Sequence, residues 1–261
     1  MLEKNIREQI LSLINKEVVP AVGCTEPMAV ALCTARATED LCHKPEKITA
    51  LLSANILKNA MGVGIPGTGM IGLPIAIALG ALIGKSEYQL EVLKDLTPET
   101  LEEGKEYLKG HHIEIKLKED ITEKLYVEVT CEAKGDKATA IIANSHTNFI
   151  YEEKNGNILL DKRICNASYK EEGDIALNMR MVYDFAMTTP LDEIGFILKT
   201  RDYNIKAANL SIKGNYGHCL GKTMDRPLSH GIFGDSIFSH IISKTASACD
   251  ARMGGAMIPV M

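Results

Sequence analysis

The amino-acid sequence predicts an α+β fold, with a mainly helical body, a glycine-rich loop and an inserted α+β subdomain. In residues 1–86 and again in 161–261, apolar residues recur at the spacing of amphipathic helices. Residues 87–160 differ, because apolar and polar residues alternate there as they do in half-buried strands. Glycines are concentrated between Gly62 and Gly72, which predicts a loop with exposed backbone.

The first two elements are predicted as helices. Apolar residues at helical spacing predict an amphipathic helix over residues 3–18. Thr25 supplies a cap and Pro27 a first-turn proline for a second helix, which continues through Ala37. Cys24 lies immediately before this helix, next to the N–H groups that have no partner within the helix.

Two apolar runs flank the glycine-rich loop. Residues 48–57 are predicted as a buried strand, although a short apolar run does not by itself distinguish a strand from a helix. Residues 70–83 are predicted as a buried helix. They are not a membrane span, because such a span needs about 20 apolar residues and glycines and a proline interrupt this shorter run. The charged N-terminus lacks the pattern of an export signal. We therefore expect no association with a membrane.

The remaining elements follow the same two periods. Within the expected insertion, a polar helix at 97–110 precedes four alternating segments, HIEIKLK, KLYVEVTCEA, KATAIIAN and NFIYEE, which predict a sheet with one face on a helix. After residue 160 the helical spacing returns. Helices are predicted at 175–187, 191–198, 205–212 and 237–248. The sequence therefore predicts one helical body, 1–86 and 161–261, interrupted by the insertion at 87–160.

Composition and charge exclude several classes of protein. The 261 residues carry a net charge of −5, with a pI of about 5.8, so no basic surface is expected to attract nucleic acid. The seven cysteines are an odd number, and no two of them form a C-x-x-C motif. A chain of this size needs no disulfides for stability, so we expect a reduced, cytoplasmic protein.

Cys24 is the first candidate for chemistry. The dipole and the free N–H groups at a helix start stabilise a thiolate, so its pKa is expected below the reference value of about 8.5. A thiolate is the form that binds a metal or attacks an electrophile. The alternative is a buried cysteine that packs as a small apolar residue. Cys33 and Cys42 are predicted to have that packing role.

The glycine-rich loop allows two interpretations. Gly62, Gly64 and Gly67 fit the G-x-G-x-x-G pattern of dinucleotide sites, but the segment after Gly84 does not resemble the second parallel strand of such a fold. A glycine-rich turn before a helix also presents N–H groups that suit the carboxylate of a small acid. The residues predicted to bind such a carboxylate are Asn55, Asn59, Gly62, Gly64, Gly67, Thr68 and Gly69. The alternative is a purely structural role, with Thr68 as a turn residue and Asn55, Lys58 and Asn59 as a polar cluster at the end of a strand.

Two residues are candidates for a general base. His146 lies between two alternating segments, where the end of a strand can direct it into a cleft. The alternative is a structural histidine with hydrogen-bonded nitrogens. Lys58 lies just before the glycine-rich loop. Asp250 and Arg252, near the C-terminus, are expected to form a buried or interfacial ion pair.

Three blocks of sequence belong together as a pattern. They are VPAVGCTEPMAVALC at 19–33, NAMGVGIPGTGMIGLPIAIALG at 59–80 and SACDARMGGAMIPVM at 247–261. Weaker matches are SHTNF at 145–149 and VYDFA at 182–186. This pattern resembles the iron-sulfur serine dehydratase alpha-chain family, and within it the branch of L-cysteine desulfidases. The resemblance extends over nearly the whole chain, and the long glycine block is far more specific than a three-glycine pattern.

The resemblance implies an activity and a cofactor. Family members carry an oxygen-sensitive [4Fe-4S] cluster held by cysteine thiolates, and they catalyse β-elimination from an amino acid without pyridoxal phosphate. The implied substrate is L-cysteine, with sulfide, pyruvate and ammonia as products, or L-serine. Cys24 matches the N-terminal cluster ligand, and the glycine-rich loop would hold the substrate carboxylate. His146 and Lys58 are the candidates to remove the α-proton.

The resemblance also leads to expectations about completeness. Family members continue through a segment that contains the other ligand cysteines, and this chain's remaining candidates do not match those contexts. Those candidates are Cys131, Cys165, Cys219 and Cys249. We therefore expect a truncated or split member that cannot hold a complete cluster alone. The apolar C-terminus predicts a homo-oligomer or a missing segment that covers it.

Two other functions remain open at this point. One is a non-catalytic module that binds an amino acid or a carboxylate in the glycine-rich loop and has lost its cluster. The other, less favoured, is a dinucleotide-dependent oxidoreductase. The first requires only the loop, whereas the second requires a strand–loop–helix unit within a parallel sheet.

Overall fold

The expected α+β fold is confirmed by a computed structural model, in which helices pack on a six-stranded mixed sheet. The residues described are 2–18, 20–110, 112–163, 175–226 and 237–261. The helices described are α1 (Lys4–Glu17), α2 (Thr25–Leu41), α3 (Ala54–Ala60), α4 (Leu73–Ile83), α5 (Pro98–Gly110), α6 (Met179–Thr188), α7 (Leu198–Lys213), α8 (Leu220–Met224) and α9 (Ile237–Met253). The strands described are β1 (Ala21–Val22), β2 (Lys47–Leu52), β3 (His112–Leu117), β4 (Tyr126–Ala133), β5 (Asp136–Ala143), β6 (Phe149–Lys154), β7 (Asn157–Asp161) and β8 (Pro259–Val260).

The six-stranded sheet has the strand order β3-β2-β4-β5-β6-β7. β2 is parallel to β3, and every other neighbouring pair is antiparallel. On β4, Val127, Val129 and Cys131 are fully buried, whereas Glu128 and Thr130 between them stay partly exposed. This alternation places one face of the sheet against α2, as the sequence predicts.

α2 and α4 form the helical layer on this sheet. Both helices are buried along most of their length, and a Cβ atom on Gly80 of α4 would come within 2.6 Å of the Ala31 carbonyl oxygen of α2. Only glycine permits this close approach. Cys33 is buried in the layer as predicted, whereas Cys42 is exposed at the end of α2, so its predicted packing role is wrong. The packing fixes the position of α2 against α4, and with it the position of Cys24.

The packing differs from the expected division into a helical body and an insertion. β2, from the expected body (1–86), lies between β3 and β4 of the expected insertion (87–160). One hydrophobic cluster extends from Met28 to Phe149 and includes residues of both segments. The sheet and the two helices on it therefore share one core, because β2 supplies a strand that the insertion needs.

A smaller hydrophobic cluster forms where α7, α9 and β8 pack together. Ala207, Ala251 and Val260 belong to it. β8 also pairs in antiparallel fashion with β1, which lies just before α2. The C-terminal residues are therefore joined to the region in which α2 starts.

Most predicted elements are confirmed, with two differences. The run at 48–57 contains both structures that its apolar content permits, because β2 ends at Leu52 and α3 begins at Ala54. The helix predicted at 191–198 is a short 3-10 turn, Gly195–Ile197, that leads into α7. In the part of the chain that the structure describes, no helix has the length and apolar character needed to cross a bilayer.

Candidate functional site

A cleft of about 500 Å³ opens where the start of α2, the end of α3 and the last turn of α9 meet. Its lining residues are Cys24, Glu26, Lys58, Asn59, Gly62, Val63, Cys249, Arg252 and Met253. Cys24, Lys58, Asn59 and Gly62 are among the residues that the sequence predicts for the site. The cleft therefore combines thiols, a carboxylate, an amide and two cationic groups.

Cys24 precedes the first turn of α2 and has the extended backbone of a helix cap, with φ −80° and ψ 137°. Its side chain is 6% exposed, and its Sγ lies 3.4 Å from Met253 Sδ and 4.0 Å from the Arg252 carbonyl oxygen. Burial raises the pKa of the thiol, while the positive charge of Arg252 opposes this increase. The predicted low pKa is therefore wrong, because loss of hydration outweighs the attraction of the Arg252 guanidinium for the thiolate.

Glu26 is held at the cleft by two hydrogen bonds. The Asn59 amide donates to Glu26 Oε1 (3.2 Å), and the Thr25 hydroxyl donates to Oε2 (3.3 Å). Glu26 lies in the first turn of α2 and Asn59 near the end of α3, so one of these bonds links the two helices. A negative charge is favourable at a helix start. Glu26 thus presents a positioned carboxylate to the cleft.

Two cationic side chains line the same cleft. Arg252 is half-buried in the last turn of α9, and Lys58 is exposed in the last turn of α3. Neither forms a salt bridge with any acidic side chain in the described ranges. Their positive charge is therefore available to an anionic ligand.

The expected ion pair between Asp250 and Arg252 is absent from the described structure. Asp250 is buried and accepts hydrogen bonds from the backbone N–H groups of His218 (3.2 Å) and Gly221 (2.9 Å). Residues two positions apart on a helix point in directions about 200° apart. Asp250 therefore connects α9 to α8, while Arg252 lines the cleft.

His146 lies in the loop between β5 and β6 and is half-buried. Burial lowers the pKa of its imidazole, and three charges act on it as well: the Glu26 and Glu17 carboxylates raise the pKa and the Arg252 guanidinium lowers it. His146 does not line the cleft itself. The charges of Glu26 and Arg252 nevertheless act on its imidazole, which links the protonation of His146 to the cleft. The lowered pKa favours the neutral imidazole, which is the form that accepts a proton.

The glycine-rich loop is used for packing. The Gly64 N–H donates to the Met253 carbonyl oxygen (2.7 Å), and the Gly67 N–H donates to the Gly255 carbonyl oxygen (3.2 Å). A Cβ atom on Gly64 would lie 2.5 Å from the Gly254 carbonyl carbon, so the two glycine-containing turns meet backbone to backbone. These N–H groups hold the end of α9 in place, and they are already paired rather than open to the carboxylate that the sequence assigns to them.

Other members of the predicted carboxylate-binding set are dispersed. Thr68 is buried as a turn residue, and its hydroxyl donates to a carbonyl oxygen within the turn (2.8 Å). Gly69 is exposed with a left-handed φ of 64°. Asn55 lines a different cleft, formed with the loop at 117–124. The members that line the cleft with Cys24 are Asn59 and Gly62.

Cys249 is a second thiol in the cleft and lies one helical turn before Met253 on α9. A [4Fe-4S] cluster needs several cysteine thiolates, usually about four. Across the described ranges, no group of three or more histidine, cysteine or acidic residues is placed to hold a metal ion. Cys131 is buried in β4, and Cys165 lies outside the described residues. The residues described therefore do not fit a complete cluster.

Sequence reasoning missed Glu26, Cys249 and Arg252 as residues of one site. The spacing of Cys249, Arg252 and Met253 by three and four positions was a usable signal, since it places all three on one face of a helix. Nothing in the local sequence shows that this face meets Cys24. That contact depends on the packing of α9 beside the glycine-rich loop.

Comparison with known proteins finds relatives along the whole chain. The chain is 65% identical over 255 residues to a UPF0597 protein of Bacteroides fragilis, covering 98% of this chain and 60% of the relative. It is 64% identical over 262 residues to a UPF0597 protein of Phocaeicola vulgatus, covering 100% of this chain and 61% of the relative. A UPF0597 protein of Chromobacterium violaceum is 41% identical over 265 residues, again covering 100% and 61%.

No family model and no solved structure matches the chain. The names of the relatives state no activity, so the resemblance to the serine dehydratase alpha-chain family stays a prediction. The chain spans about 60% of the length of the Bacteroides fragilis relative. By these comparisons, the chain is similar to the UPF0597 proteins over that part of their length.

Proposed function

We propose that this chain provides the amino-acid-binding part of a lyase that acts on L-cysteine or L-serine by β-elimination. One observation carries the proposal: the three blocks that carry the family resemblance, 19–33, 59–80 and 247–261, all contribute residues to one cleft. Its volume of about 500 Å³ is in the range of sites for small molecules. The convergence supports a shared site for the three blocks, and the resemblance supports the type of reaction.

In the proposed reaction, a base removes the α-proton and the β-substituent leaves, as sulfide from L-cysteine or as water from L-serine. The aminoacrylate that forms is hydrolysed to pyruvate and ammonia, so one water molecule enters for each substrate molecule. His146 is one candidate base, because burial favours its neutral form. Lys58 is the other, because it lines the cleft directly.

The resemblance implies a [4Fe-4S] cluster and no pyridoxal phosphate. Cys24 and Cys249 are the thiols that the cleft offers to such a cluster. Since the described residues do not complete a ligand set, we propose that the other ligands come from elsewhere.

We also propose a cytoplasmic location and a homo-oligomer or a further covering segment. Described cysteines carry free thiols, as expected in a reducing compartment. Ile237 and Phe238 at the start of α9 are 82% and 70% exposed, and such apolar surface is usually covered in an assembly. A monodisperse monomer in size-exclusion chromatography with light scattering would count against the homo-oligomer.

The test of the lyase is release of pyruvate and sulfide from L-cysteine after anaerobic loading with iron and sulfide. It is applied to this chain and to the longer Bacteroides fragilis relative. We expect iron-dependent release from the longer protein. Absence of release from both proteins, with iron bound, would overturn the lyase proposal.

Iron counting on this chain tests the role of Cys24. We expect less than one complete cluster per isolated chain, loss of bound iron in Cys24→Ala, and retention in Cys42→Ala. Cys42 is a suitable control because it is exposed at the opposite end of the same helix. One full cluster per isolated chain would contradict the expected incomplete ligand set.

The second candidate is a non-catalytic module that binds an amino acid or carboxylate in the same cleft. It is favoured by one observation, that the described residues contain no group of three metal ligands. Calorimetry with L-cysteine and L-serine on metal-free protein distinguishes the two candidates. Binding without pyruvate release from either protein would select the module.

The arrangement of the described elements does not favour a dinucleotide-dependent oxidoreductase. β3 does run parallel to β2, although the sequence after Gly84 predicts no such strand. However, α3 separates β2 from the glycine-rich loop, so the strand–loop–helix unit of dinucleotide sites is not formed.

A further inference from the structure

We propose that the cleft recognises both charged ends of a free α-amino acid, with the Arg252 guanidinium receiving the carboxylate and the Glu26 carboxylate receiving the ammonium group. The inference rests on the proposed function for the class of ligand, but it concerns recognition and involves no catalytic step. The sequence predicts that the glycine-rich loop binds the ligand carboxylate. In this inference, two side chains from different helices bind the ligand instead.

The glycine-rich loop has few donors left for a ligand. The N–H groups of Gly64 and Gly67 donate to carbonyl oxygens at the end of α9 and in the turn after it. The Thr68 hydroxyl donates within its own turn. Breaking these bonds to bind a carboxylate would leave the accepting carbonyl oxygens without these donors, which costs binding free energy. A ligand carboxylate therefore needs donors other than Gly64, Gly67 and Thr68.

Arg252 is the donor that suits a carboxylate best. Its planar guanidinium can donate two parallel N–H bonds to one carboxylate group. It is half-buried, lines the cleft and pairs with no acidic side chain in the ranges described. Lys58 is exposed, so water screens its charge more strongly, and we assign it no part in holding the carboxylate.

Glu26 is the acceptor that suits an ammonium group. One hydrogen bond from Asn59 and one from Thr25 fix its two oxygens. Each carboxylate oxygen has two lone pairs, so capacity remains for the N–H groups of a ligand. Among the described residues that line the cleft, Glu26 is the only one with an acidic side chain.

Glu26 and Arg252 act on the same small space. Both charges influence the pKa of Cys24 and the pKa of His146, with opposite signs. A ligand with both charges pairs each side chain with its complement. A ligand that lacks one end leaves the charge of either Glu26 or Arg252 without an opposite charge in the cleft, and this weakens its binding.

The test is a set of binding measurements on metal-free, reduced protein with three ligands. They are L-cysteine, 3-mercaptopropionate, which lacks the ammonium group, and cysteamine, which lacks the carboxylate. Calorimetry measures the tighter complexes and ligand-observed NMR the weaker ones. We expect L-cysteine to bind about 10-fold more tightly than either analogue, the effect of about one charge-assisted hydrogen bond.

Two variants assign each end of the ligand. Glu26→Gln should weaken the binding of L-cysteine about 10-fold. It should change the affinity for 3-mercaptopropionate by less than about 3-fold, because that analogue has no ammonium group for Glu26 to bind. Arg252→Gln should weaken the binding of L-cysteine by a similar factor and leave the affinity for cysteamine nearly unchanged. Arg252→Lys, which keeps the charge but loses the planar pair of donors, should give an intermediate loss.

Controls and outcomes separate this inference from the lyase proposal. Glu103→Gln and Arg180→Gln remove exposed charges elsewhere and should leave all three affinities unchanged. Equal losses for all ligands in Glu26→Gln or Arg252→Gln, or no binding of L-cysteine, would overturn the inference whatever the pyruvate assay shows. The expected pattern with no pyruvate from either iron-loaded protein would support the inference and overturn only the lyase.

Discussion

The Cys24 sulfur lies 3.4 Å from the Met253 sulfur, and this contact joins two residues that are 229 positions apart in the sequence. It places the start of α2 against the last turn of α9, and the pairing of β1 with β8 joins the same two regions of the chain. The cleft depends on this junction, because α2 contributes Cys24 and Glu26 while α9 contributes Cys249 and Arg252. Changes that loosen the junction should therefore alter the cleft before they alter the main core.

Gly64→Ala should destabilise the protein by about 3 kcal/mol, because its Cβ atom would lie 2.5 Å from the Gly254 carbonyl carbon and neither backbone can move freely. Thermal or urea unfolding measures the loss. Gly62→Ala is the matched control two residues away, since a Cβ atom there meets nothing within 4 Å, and its effect should stay within about 0.5 kcal/mol. Equal effects of the two substitutions would contradict the close backbone contact.

Cys24 should react slowly with iodoacetamide near neutral pH. Burial raises the pKa of its thiol, and its side chain is 6% exposed, whereas Cys42 and Cys249 are exposed. Since the thiolate is the nucleophile, we expect Cys24 to be modified at least about 10-fold more slowly than the other two, with a rate that keeps rising above pH 9. Peptide mass spectrometry after timed labelling measures the three rates. Fast labelling of Cys24 would instead support the low pKa that the sequence predicts.

The pKa of His146 should report the two charges of the cleft. Glu26→Gln removes the charge that raises this pKa and should lower it further, whereas Arg252→Gln should raise it. NMR titration of the imidazole proton measures both shifts. Shifts of the same sign in the two variants would show that His146 does not lie close to these residues.

The lowered pKa of His146 also makes stability depend on pH. Below about pH 6.5, the unfolded chain binds a proton at this residue that the folded chain still resists, so the free energy of unfolding should fall as pH decreases from 6.5 to the folded-state pKa. His146→Gln should make that decrease smaller. Urea unfolding between pH 5 and 7.5 measures it, and an unchanged pH dependence would contradict the burial of the imidazole.

Asp40 should destabilise the folded protein at neutral pH. Burial, with repulsion from Glu152, raises its pKa to about 6, and its Oδ2 lacks a hydrogen-bond partner in the described structure. The unfolded chain ionises near pH 4, so the free energy of unfolding should fall as pH rises from about 4 to 6 and stay lower at pH 7. Asp40→Asn should raise it at pH 7 by about 1 kcal/mol, after allowance for partial exposure.

Urea unfolding at pH 4.5 and pH 7 checks the Asp40 prediction. The gain should be larger at pH 7, because the wild-type carboxyl is already protonated in the folded state at the lower pH. Asp202→Asn, which removes an exposed carboxylate on α7, should change the stability by less than about 0.5 kcal/mol at both pH values. An equal gain from Asp40→Asn at both pH values would show that burial does not hold its proton.

Local sequence patterns were enough to predict most of the elements but only part of the site. The amphipathic period predicts α1, and the cap with a first-turn proline predicts where α2 begins, because these signals act over one or two helical turns. The run at 48–57 was ambiguous for a physical reason, since a buried strand and a buried helix need the same apolar residues. The position of Cys24 at the start of α2 followed directly from the local pattern.

The prediction of the glycine-rich loop shows where local reasoning ends. A glycine-rich turn can offer its N–H groups to a ligand or to another part of the chain, and the sequence is the same in both cases. In the folded protein, Gly64 and Gly67 bind the end of α9 instead. The same limit applies to the expected insertion at 87–160, because its sheet includes β2 from outside that range. The spacing of apolar residues within a strand does not show which distant strand it pairs with.

By itself, the sequence determined the α+β class, the start of α2 with Cys24 before it, and the glycine-rich connection to α4. These features depend on residues that are close together along the chain, such as caps, turns and apolar periods. Only the tertiary structure decided that Glu26, Arg252 and Cys249 share a cleft with Cys24, and that burial raises the pKa of this thiol. Both outcomes depend on which segments, far apart in the sequence, pack together and exclude water. The packing of the whole chain decides this.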